Sequence, residues 1–217
     1  MEIVYYGHSA FLYRGSKKIF IDPFIKGNPT SPISVEDVKE CDLVLVTHDH
    51  SDHLGDGFEI CQKTGATFVS QHELACKAGE MGIKTEGMNI GGTISKDDIK
   101  IHMTLALHSS ETGHPAGFVV TLDGHSIYHS GDTGLFSDMR LIGEMYKPEV
   151  ALLPIGDRFT MGIEEAVKAV EFINPTYVIP MHYGTWPPIS IDPLTFKKRV
   201  GDKATVIILK PGEKFEL

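Results

Sequence analysis

The stretch Thr47-His-Asp-His-Ser-Asp-His53 places three histidines and two aspartates directly after the apolar run Leu43-Val-Leu-Val46. The apolar run predicts a strand covered on both faces, and open α/β sheets place ligands at the carboxyl ends of such strands. A polar turn with an Asp cap explains one aspartate but not three imidazoles. Histidine and carboxylate without cysteine suit zinc, manganese or iron. The stretch therefore predicts a metal site.

Three further residues follow other predicted strands. His108 ends the run from Ile101 and begins HSSE, Asp132 lies in HSGDTG, and His182 follows Val178-Ile-Pro-Met181. Each alone is more often a polar residue with satisfied hydrogen bonds. Four independent strand ends that each deliver His or Asp make coincidence a weaker explanation and favour a site for two ions.

The ordered motifs resemble those of the metallo-β-lactamase-fold hydrolases. THDHSDH matches their THxHxDH signature, and LHSS, SGDTG and PMHYGT follow in family order. YYGHSAF, FIDPF, HPAGFVV, LLPIGDRFTMG and PMHYGTW are similar to a metal-dependent hydrolase branch related to the L-ascorbate-6-phosphate lactonase. The resemblance covers residues 3–217. It implies an α/β (α+β) fold, a four-layer αββα sandwich of two mixed sheets flanked by helices, in one domain over residues 1–217.

The resemblance also implies a set of site residues. The implied ligands are His48, His50 and His108 for one metal, Asp52, His53 and His182 for the second, and Asp132 bridging both. Asp22 matches the aspartate that supports the signature loop. His8 lies in the GHS motif, where it either approaches the metals or bonds to the backbone. Asp52 and Asp132 are the implied catalytic residues.

The chemistry of such a centre is hydrolysis. Two divalent ions about 3.5 to 4 Å apart would hold a bridging water, lower its pKa and stabilise charge on the attacked oxygen. Asp52 would orient the resulting hydroxide. We expect zinc, with manganese or iron as alternatives, and cleavage of an ester, lactone, thioester or phosphoester bond in a small, anionic substrate.

Several loop residues beside the expected ligands are candidates for substrate contacts. They are Glu111, His114, Asp157, Arg158, Tyr183 and Trp186. Arg158 has the planar guanidinium that grips phosphate or carboxylate, although an ion pair with Asp157 or Glu111 is equally compatible with the sequence. His129 is expected to pack under the site.

Composition narrows the classes of partner. The formal net charge is −9, from 20 Lys plus Arg and 29 Asp plus Glu, which disfavours nucleic acid because binding phosphate backbones requires clustered cations. Three cysteines without CxxC spacing argue against disulfides and predict a cytoplasmic location. No apolar run approaches the roughly 18 residues of a membrane span. A homo-oligomer remains open.

The sequence predicts two strand-rich halves that carry helices, and hence two packed sheets with helices outside. The expected strands are 2–6, 10–13, 18–21, 43–47, 67–69, 99–107, 117–122, 126–129, 150–153, 177–180 and 205–209. The expected helices are 57–63, 73–81, 135–146, 163–173 and 193–200.

Three alternatives to the hydrolase compete. A phosphodiesterase or ribonuclease would share the fold, but no inserted substrate-gripping domain is found. Redox di-iron relatives need a carboxylate where this chain has His50. A non-catalytic metal-binding or sensing member remains open, although candidate ligands stand at all seven positions.

Overall fold

Two seven-stranded sheets lie face to face in the computed structural model, which describes residues 1–96 and 98–217. The first sheet contains β1 (Glu2–Tyr5), β2 (Phe11–Arg14), β3 (Lys18–Ile21), β4 (Leu43–Leu45), β5 (Thr67–Gln71), β6 (Thr85–Met88) and β14 (Lys214–Glu216). The second contains β7 (Thr93–Lys96), β8 (Ile99–Leu105), β9 (Ala116–Leu122), β10 (His125–His129), β11 (Val150–Pro154), β12 (Tyr177–Met181) and β13 (Thr205–Val206). The spatial orders are β14-β1-β2-β3-β4-β5-β6 and β13-β12-β11-β10-β9-β8-β7.

Each sheet is mixed. Strands β1, β2 and β3 are antiparallel, whereas β3 to β6 run parallel. In the second sheet β7 to β10 are antiparallel and β10 to β13 are parallel. Strands β1, β3 and β4 therefore share one direction, as do β8, β10 and β12. The loops after these six strands supply the site described below.

Helices cover the outer face of both sheets. They are α1 (Ser51–Leu54), α2 (Gly57–Thr64), α3 (His72–Glu80), α4 (Met139–Tyr146), α5 (Ile163–Ile173) and α6 (Pro193–Val200). Alternation along the strands divides the core, since Ile3 faces the opposite sheet while Val4 faces the helices. Three apolar layers result: one between the sheets, one under α2 and α3, and one under α4, α5 and α6. The predicted αββα sandwich is confirmed.

The differences from the expected elements fall at edges and ends. Strands β6, β7 and β14 were not predicted, because they lie at sheet edges and bury few side chains, so they lack an alternating apolar pattern. The strand expected to reach Leu107 ends at Leu105. The helix expected from Leu135 begins at Met139, after a turn at Ser137 and Asp138.

The helices of the described ranges are short compared with a membrane-spanning helix. The longest helix in the described ranges is α5, with 11 residues. No helix within residues 1–96 or 98–217 is long and apolar enough to cross a bilayer.

Candidate metal centre

Six loops that follow strand ends converge at one end of the sandwich. The residues are His8 after β1, Asp22 after β3, the THDHSDH loop after β4, His108 after β8, Asp132 after β10 and His182 after β12. His8, Asp22 and His182 have φ angles of 58°, 46° and 53°, in the left-handed region that side chains disfavour. The backbone amide of His182 donates to the carbonyl of His8 at 2.8 Å, which joins the two sheets at the site.

Asp22 holds the signature loop in place. Its Oδ1 accepts the backbone N–H of Thr47 at 2.8 Å, and its Oδ2 accepts the Thr47 hydroxyl at 2.7 Å and Nδ1–H of His53 at 2.7 Å. The carboxyl is fully buried. Because Nδ1 of His53 donates to Asp22, Nε2 of His53 keeps a lone pair for a metal. The support predicted for Asp22 thus has a defined geometry.

The hydrogen bond between Asp22 and Thr47 also determines the orientation of His48. The Thr47 hydroxyl donates its only proton to Asp22. Its oxygen therefore accepts a hydrogen bond from Nδ1–H of His48 at 3.0 Å. Nε2 of His48 is left with a lone pair, 3.0 Å from Nδ1 of His50. This lone pair can accept a hydrogen bond from Nδ1–H of His50 or bind a cation.

Asp132 lies between the histidines of different loops. Its Oδ2 is 2.9 Å from Nε2 of His182, 3.3 Å from Nε2 of His53 and 3.6 Å from Nε2 of His108. Gly131 permits this approach with φ 61°, since a Cβ there would lie 2.4 Å from the carbonyl oxygen of Ala116. Asp132 therefore lies within reach of histidines from three different loops.

The buried imidazole of His8 contacts the carboxylate of Asp52. Its Nε2 lies 3.1 Å from Oδ2 of Asp52, and its Nδ1 lies 2.8 Å from the hydroxyl of Thr185. His8 is fully buried, whereas the Asp52 side chain keeps 22% of its surface exposed. The ring of Trp186 covers His8 with centroids 5.0 Å apart. Of the two expectations for His8, the structure favours the approach to the candidate ligands.

Electrostatics set the protonation states that metal binding needs. Burial lowers the pKa of His48 to about 3, and burial lowers that of His8 to about 4 despite the hydrogen bond with Asp52. Burial raises the pKa of the Asp132 carboxyl, but His182 and His53 outweigh it and hold this pKa well below its usual range. Neutral imidazoles and an ionised carboxylate are the forms that bind metals.

His53 behaves differently. Burial lowers its pKa, but the carboxylates of Asp132 and Asp22 outweigh burial and raise this pKa well above the ordinary value. A cation that binds Nε2 of His53 therefore competes with a proton for this nitrogen.

The donor atoms form three overlapping groups, each with its atoms within 4.8 Å of one another. We call His48, His50 and His108 the imidazole group, and His8, Asp52, His53 and His182 the mixed group. The third group is His48, His53 and Asp132, which overlaps both. The first two groups contain the residues that the resemblance implies as ligands of separate ions, with His8 added to the mixed group, whereas Asp132 lies in the third group with His48 and His53.

Whether metal ions fit this cluster can be judged from the buried polar atoms that have no other hydrogen-bond partner. Nε2 of His53 and Oδ1 of Asp132 are buried without a hydrogen-bond partner among the described residues. Such atoms are costly unless something binds them. Because they lie in one cluster of imidazoles and carboxylates, divalent metal ions fit the residues present.

The residues predicted to contact substrate differ in their exposure and in their distance from the candidate ligands. Arg158 is exposed, with its guanidinium carbon 5.6 Å from the ring centroid of Phe159, and among the described residues no ion pair joins it to Asp157 or Glu111. Glu111 is exposed, and His114 lies with His108 along one cleft. Tyr183 is half-buried and packs against the apolar layer under α4, α5 and α6.

Sequence reasoning missed how Asp49 is used. The sequence pattern indicates no partner for Asp49, but its Oδ1 accepts the hydroxyl of Ser110 at 2.8 Å and the backbone N–H of Glu111 at 2.9 Å. Asp49 thereby ties the signature loop to the loop after His108. Thr185, the partner of His8, was also missed, since one threonine in a loop gives no pattern to detect.

The fold and the clustered ligands define a metal-binding hydrolase of the metallo-β-lactamase class, and the beta-lactamase superfamily domain matches residues 17–183. The chain belongs to the UPF0173 metal-dependent hydrolase family: it is 53% identical to the member from Methanosarcina mazei, covering 100% of this chain and 99% of that one. The Pyrococcus furiosus member is 52% identical, with 100% of both chains covered.

A solved structure gives the same result. The chain resembles Igni18, a metallo hydrolase from the hyperthermophilic archaeon Ignicoccus hospitalis, with a TM-score of 0.94 and 44% identity over 100% of this chain and 98% of that one. The predicted superfamily and enzyme class are confirmed. The similarity to the L-ascorbate-6-phosphate lactonase stays a prediction.

Proposed function

We propose that this hydrolase uses two divalent ions, zinc or alternatively manganese or iron, to cleave an ester, lactone, thioester or phosphoester bond of a small, anionic molecule. The observation that carries the proposal is the position of Asp132, whose Oδ2 lies within 3.6 Å of imidazoles from both donor groups. One carboxylate between two histidine-rich groups is the arrangement expected of a two-ion centre.

Bound divalent ions would supply water activation near neutral pH and Lewis-acid polarisation of the attacked carbonyl or phosphoryl oxygen. The chain's own residues determine how these ions are held. His48, His50 and His108 would hold one ion, Asp52, His53 and His182 the other, and Asp132 both. Asp22 and Thr47 fix the ring tautomers of His53 and His48 through the hydrogen bonds described above.

Asp52 orients the attacking water. Burial raises its pKa, but the hydrogen bond from His8 and the nearby His53 outweigh burial and hold this pKa well below the usual range. A carboxylate this acidic is a weak proton acceptor but a good hydrogen-bond acceptor. Because His8 keeps it ionised and in position, Asp52 aligns a water molecule rather than removing its proton.

The anionic character of the substrate is supported by Arg158. Its guanidinium is exposed on the loop after β11 and lies over the ring of Phe159. A guanidinium held by an aromatic ring is suited to phosphate or carboxylate.

The location and assembly remain proposals as well. We propose a cytoplasmic enzyme with one domain over residues 1–217 and a small-molecule substrate, without a nucleic-acid or membrane partner. The charge of −9 supports the exclusion of nucleic acid. A homo-oligomer is compatible with these features.

The test combines metal content with turnover. Protein purified without added metal should contain about two ions per chain. A panel of lactones, thioesters and bis-p-nitrophenyl phosphate should identify the bond, and His50→Ala and Asp52→Ala should abolish turnover. His125→Ala is the matched control, because His125 lies at the start of β10 and pairs with Glu149 at 2.7 Å.

Other outcomes would replace the proposal. An absence of metal, with folding unchanged after chelation, would exclude the two-ion centre. Metal without turnover of the panel would indicate a binding or sensing protein. Cleavage of RNA with the same metal dependence would indicate a ribonuclease.

A further inference from the structure

An apolar row continues beyond the core toward the metal centre. Ile101 and Met103 of β8 face the opposite sheet and are buried in the central layer. Leu105 and Leu107 continue the same alternation, but they are 36% and 49% exposed. The next residue, His108, belongs to the imidazole group. The row therefore leaves the core and ends at a candidate metal ligand without being covered.

These leucines line a cleft of about 410 Å³. Its lining residues are Ile90, Leu105, Ala106, Leu107, His108, His114 and Pro115. Ile90, which precedes β7, is 40% exposed. None of the described lining residues is Asp, Glu, Lys or Arg. Three partly exposed large apolar side chains in one cleft are a feature that usually marks a binding surface.

The position of the cleft indicates what occupies it. One end is His108, whose Nε2 lies 3.6 Å from Oδ2 of Asp132. A group that fills the cleft is therefore continuous with a group bound at the metal centre. A second protein chain covering the leucines would instead close the approach to His108. This continuity favours one part of the same small molecule that reacts at the centre.

We propose that the cleft binds an uncharged alkyl or aryl substituent of the substrate, so that the substrate is amphipathic: a polar, hydrolysable or anionic head at the metal centre and an apolar tail along Leu107 and Leu105. The inference rests on the proposed function, since it requires a head group at that centre. It narrows the substrate class from small anions in general to anions or acyl compounds with an apolar tail.

The test uses straight-chain carboxylates as probes of the metal-loaded protein. Acetate, butanoate, hexanoate and octanoate are titrated by calorimetry, and the dissociation constant should fall about fourfold for each methylene that enters the cleft. The double variant Leu105→Ser, Leu107→Ser should flatten this dependence and leave acetate binding unchanged. Both positions are exposed, so the variant should fold and retain its metal, which metal analysis checks.

Leu194→Ser is the matched control, because Leu194 is 65% exposed on α6 and does not line the cleft. It should keep the full chain-length dependence. A flat series in the unmodified protein, or an equal slope in the double variant, would overturn the inference. Light scattering could also overturn the inference. If the unmodified protein is a dimer and the double variant is a monomer, a second copy of the chain covers the cleft.

The two proposals fail in distinguishable ways. If the chain-length dependence is present and lost in the double variant, but no substrate of the panel is hydrolysed, the cleft stands and the proposed reaction does not. If the panel is hydrolysed and the carboxylates bind without chain-length dependence, the reaction stands and the apolar tail does not.

Discussion

The imidazole group and the mixed group lie side by side but are built differently. His50 and His108 of the imidazole group are only half-buried, and the group contains no carboxylate of its own. In the mixed group three of the four residues are buried, and Asp52 contributes a negative charge. His53 is fixed by Asp22, and His8 by Thr185.

This difference suggests different roles for the two groups of ligands. The mixed group is enclosed and tied to the backbone, as expected of a site that retains its ion. The imidazole group opens onto the cleft beside His108, as expected of a site that meets the substrate. Asp132 is the residue whose loss should affect both groups, and the other changes should affect one group more than the other.

The largest effect is expected from Asp132→Asn. The amide carries no charge and cannot bridge two cations, so both groups should lose affinity for metal. We expect kcat/KM to fall by more than about 100-fold, which exceeds the range for residues that only support ligands. Metal analysis of the purified variant is the direct measurement, and full retention of both ions would contradict the bridging role.

A smaller and one-sided effect is expected at His8. His8→Ala removes the hydrogen bond to Asp52 and should weaken the ion in the mixed group by about 10- to 100-fold. His8→Gln retains a side chain able to donate to Asp52 and should recover part of that affinity. Competition with a chromophoric chelator measures it.

Two outcomes at His8 would change its role. Equal weakening of both ions would show that His8 does not act through Asp52. Complete loss of one ion in both variants would show that His8 is itself a ligand.

Metal removal should expose the difference between the groups directly. Besides the shared Asp132, the ion in the imidazole group has only neutral ligands, two of them half-buried, so a chelator should remove it first. We expect the two dissociation constants to differ by at least about tenfold, or roughly 1.4 kcal/mol. Stepwise chelation followed by metal counting should pass through a one-ion protein, and simultaneous loss of both ions would remove the contrast.

The sequence predicts most of this centre because its ligands follow strands. The runs before Asp22, His48 and His182 are apolar and rich in β-branched residues, so both the strands and their carboxyl ends can be read from the pattern. Ligands at the ends of parallel strands must then meet at one edge. The sandwich follows from the same alternation, as Ile3 and Val4 illustrate.

The parts that could not be predicted depend on contacts between loops. Asp49 joins the loop after His108 through Ser110, 61 positions away, and His8 reaches Thr185 across 177 positions. Neither contact has a local signature. Edge strands such as β6 and β7 were missed for a related reason, since their pairing depends on a neighbouring strand and not on burial of their own side chains.

The smallest effect is expected at Asp49, which supports the imidazole group from outside. Burial raises its pKa, but hydrogen bonds from Thr112 and Ser110 outweigh burial and lower this pKa from 3.8 to about 2. The native pKa is the lower one, so the carboxylate stabilises the fold above pH 3.8, and this contribution is lost as the pH falls toward 2. Asp49→Asn should therefore reduce the free energy of unfolding by about 1 kcal/mol at pH 7.

The difference between the variant and the unmodified protein should shrink as the pH falls from about 4 to about 2. Urea unfolding of the metal-free proteins at several pH values measures it. Ser51→Ala, on the same loop, is the control, because the hydrogen bonds of Asp49 do not involve its hydroxyl. A difference that is constant with pH would mean that the loss comes from packing and not from the charge.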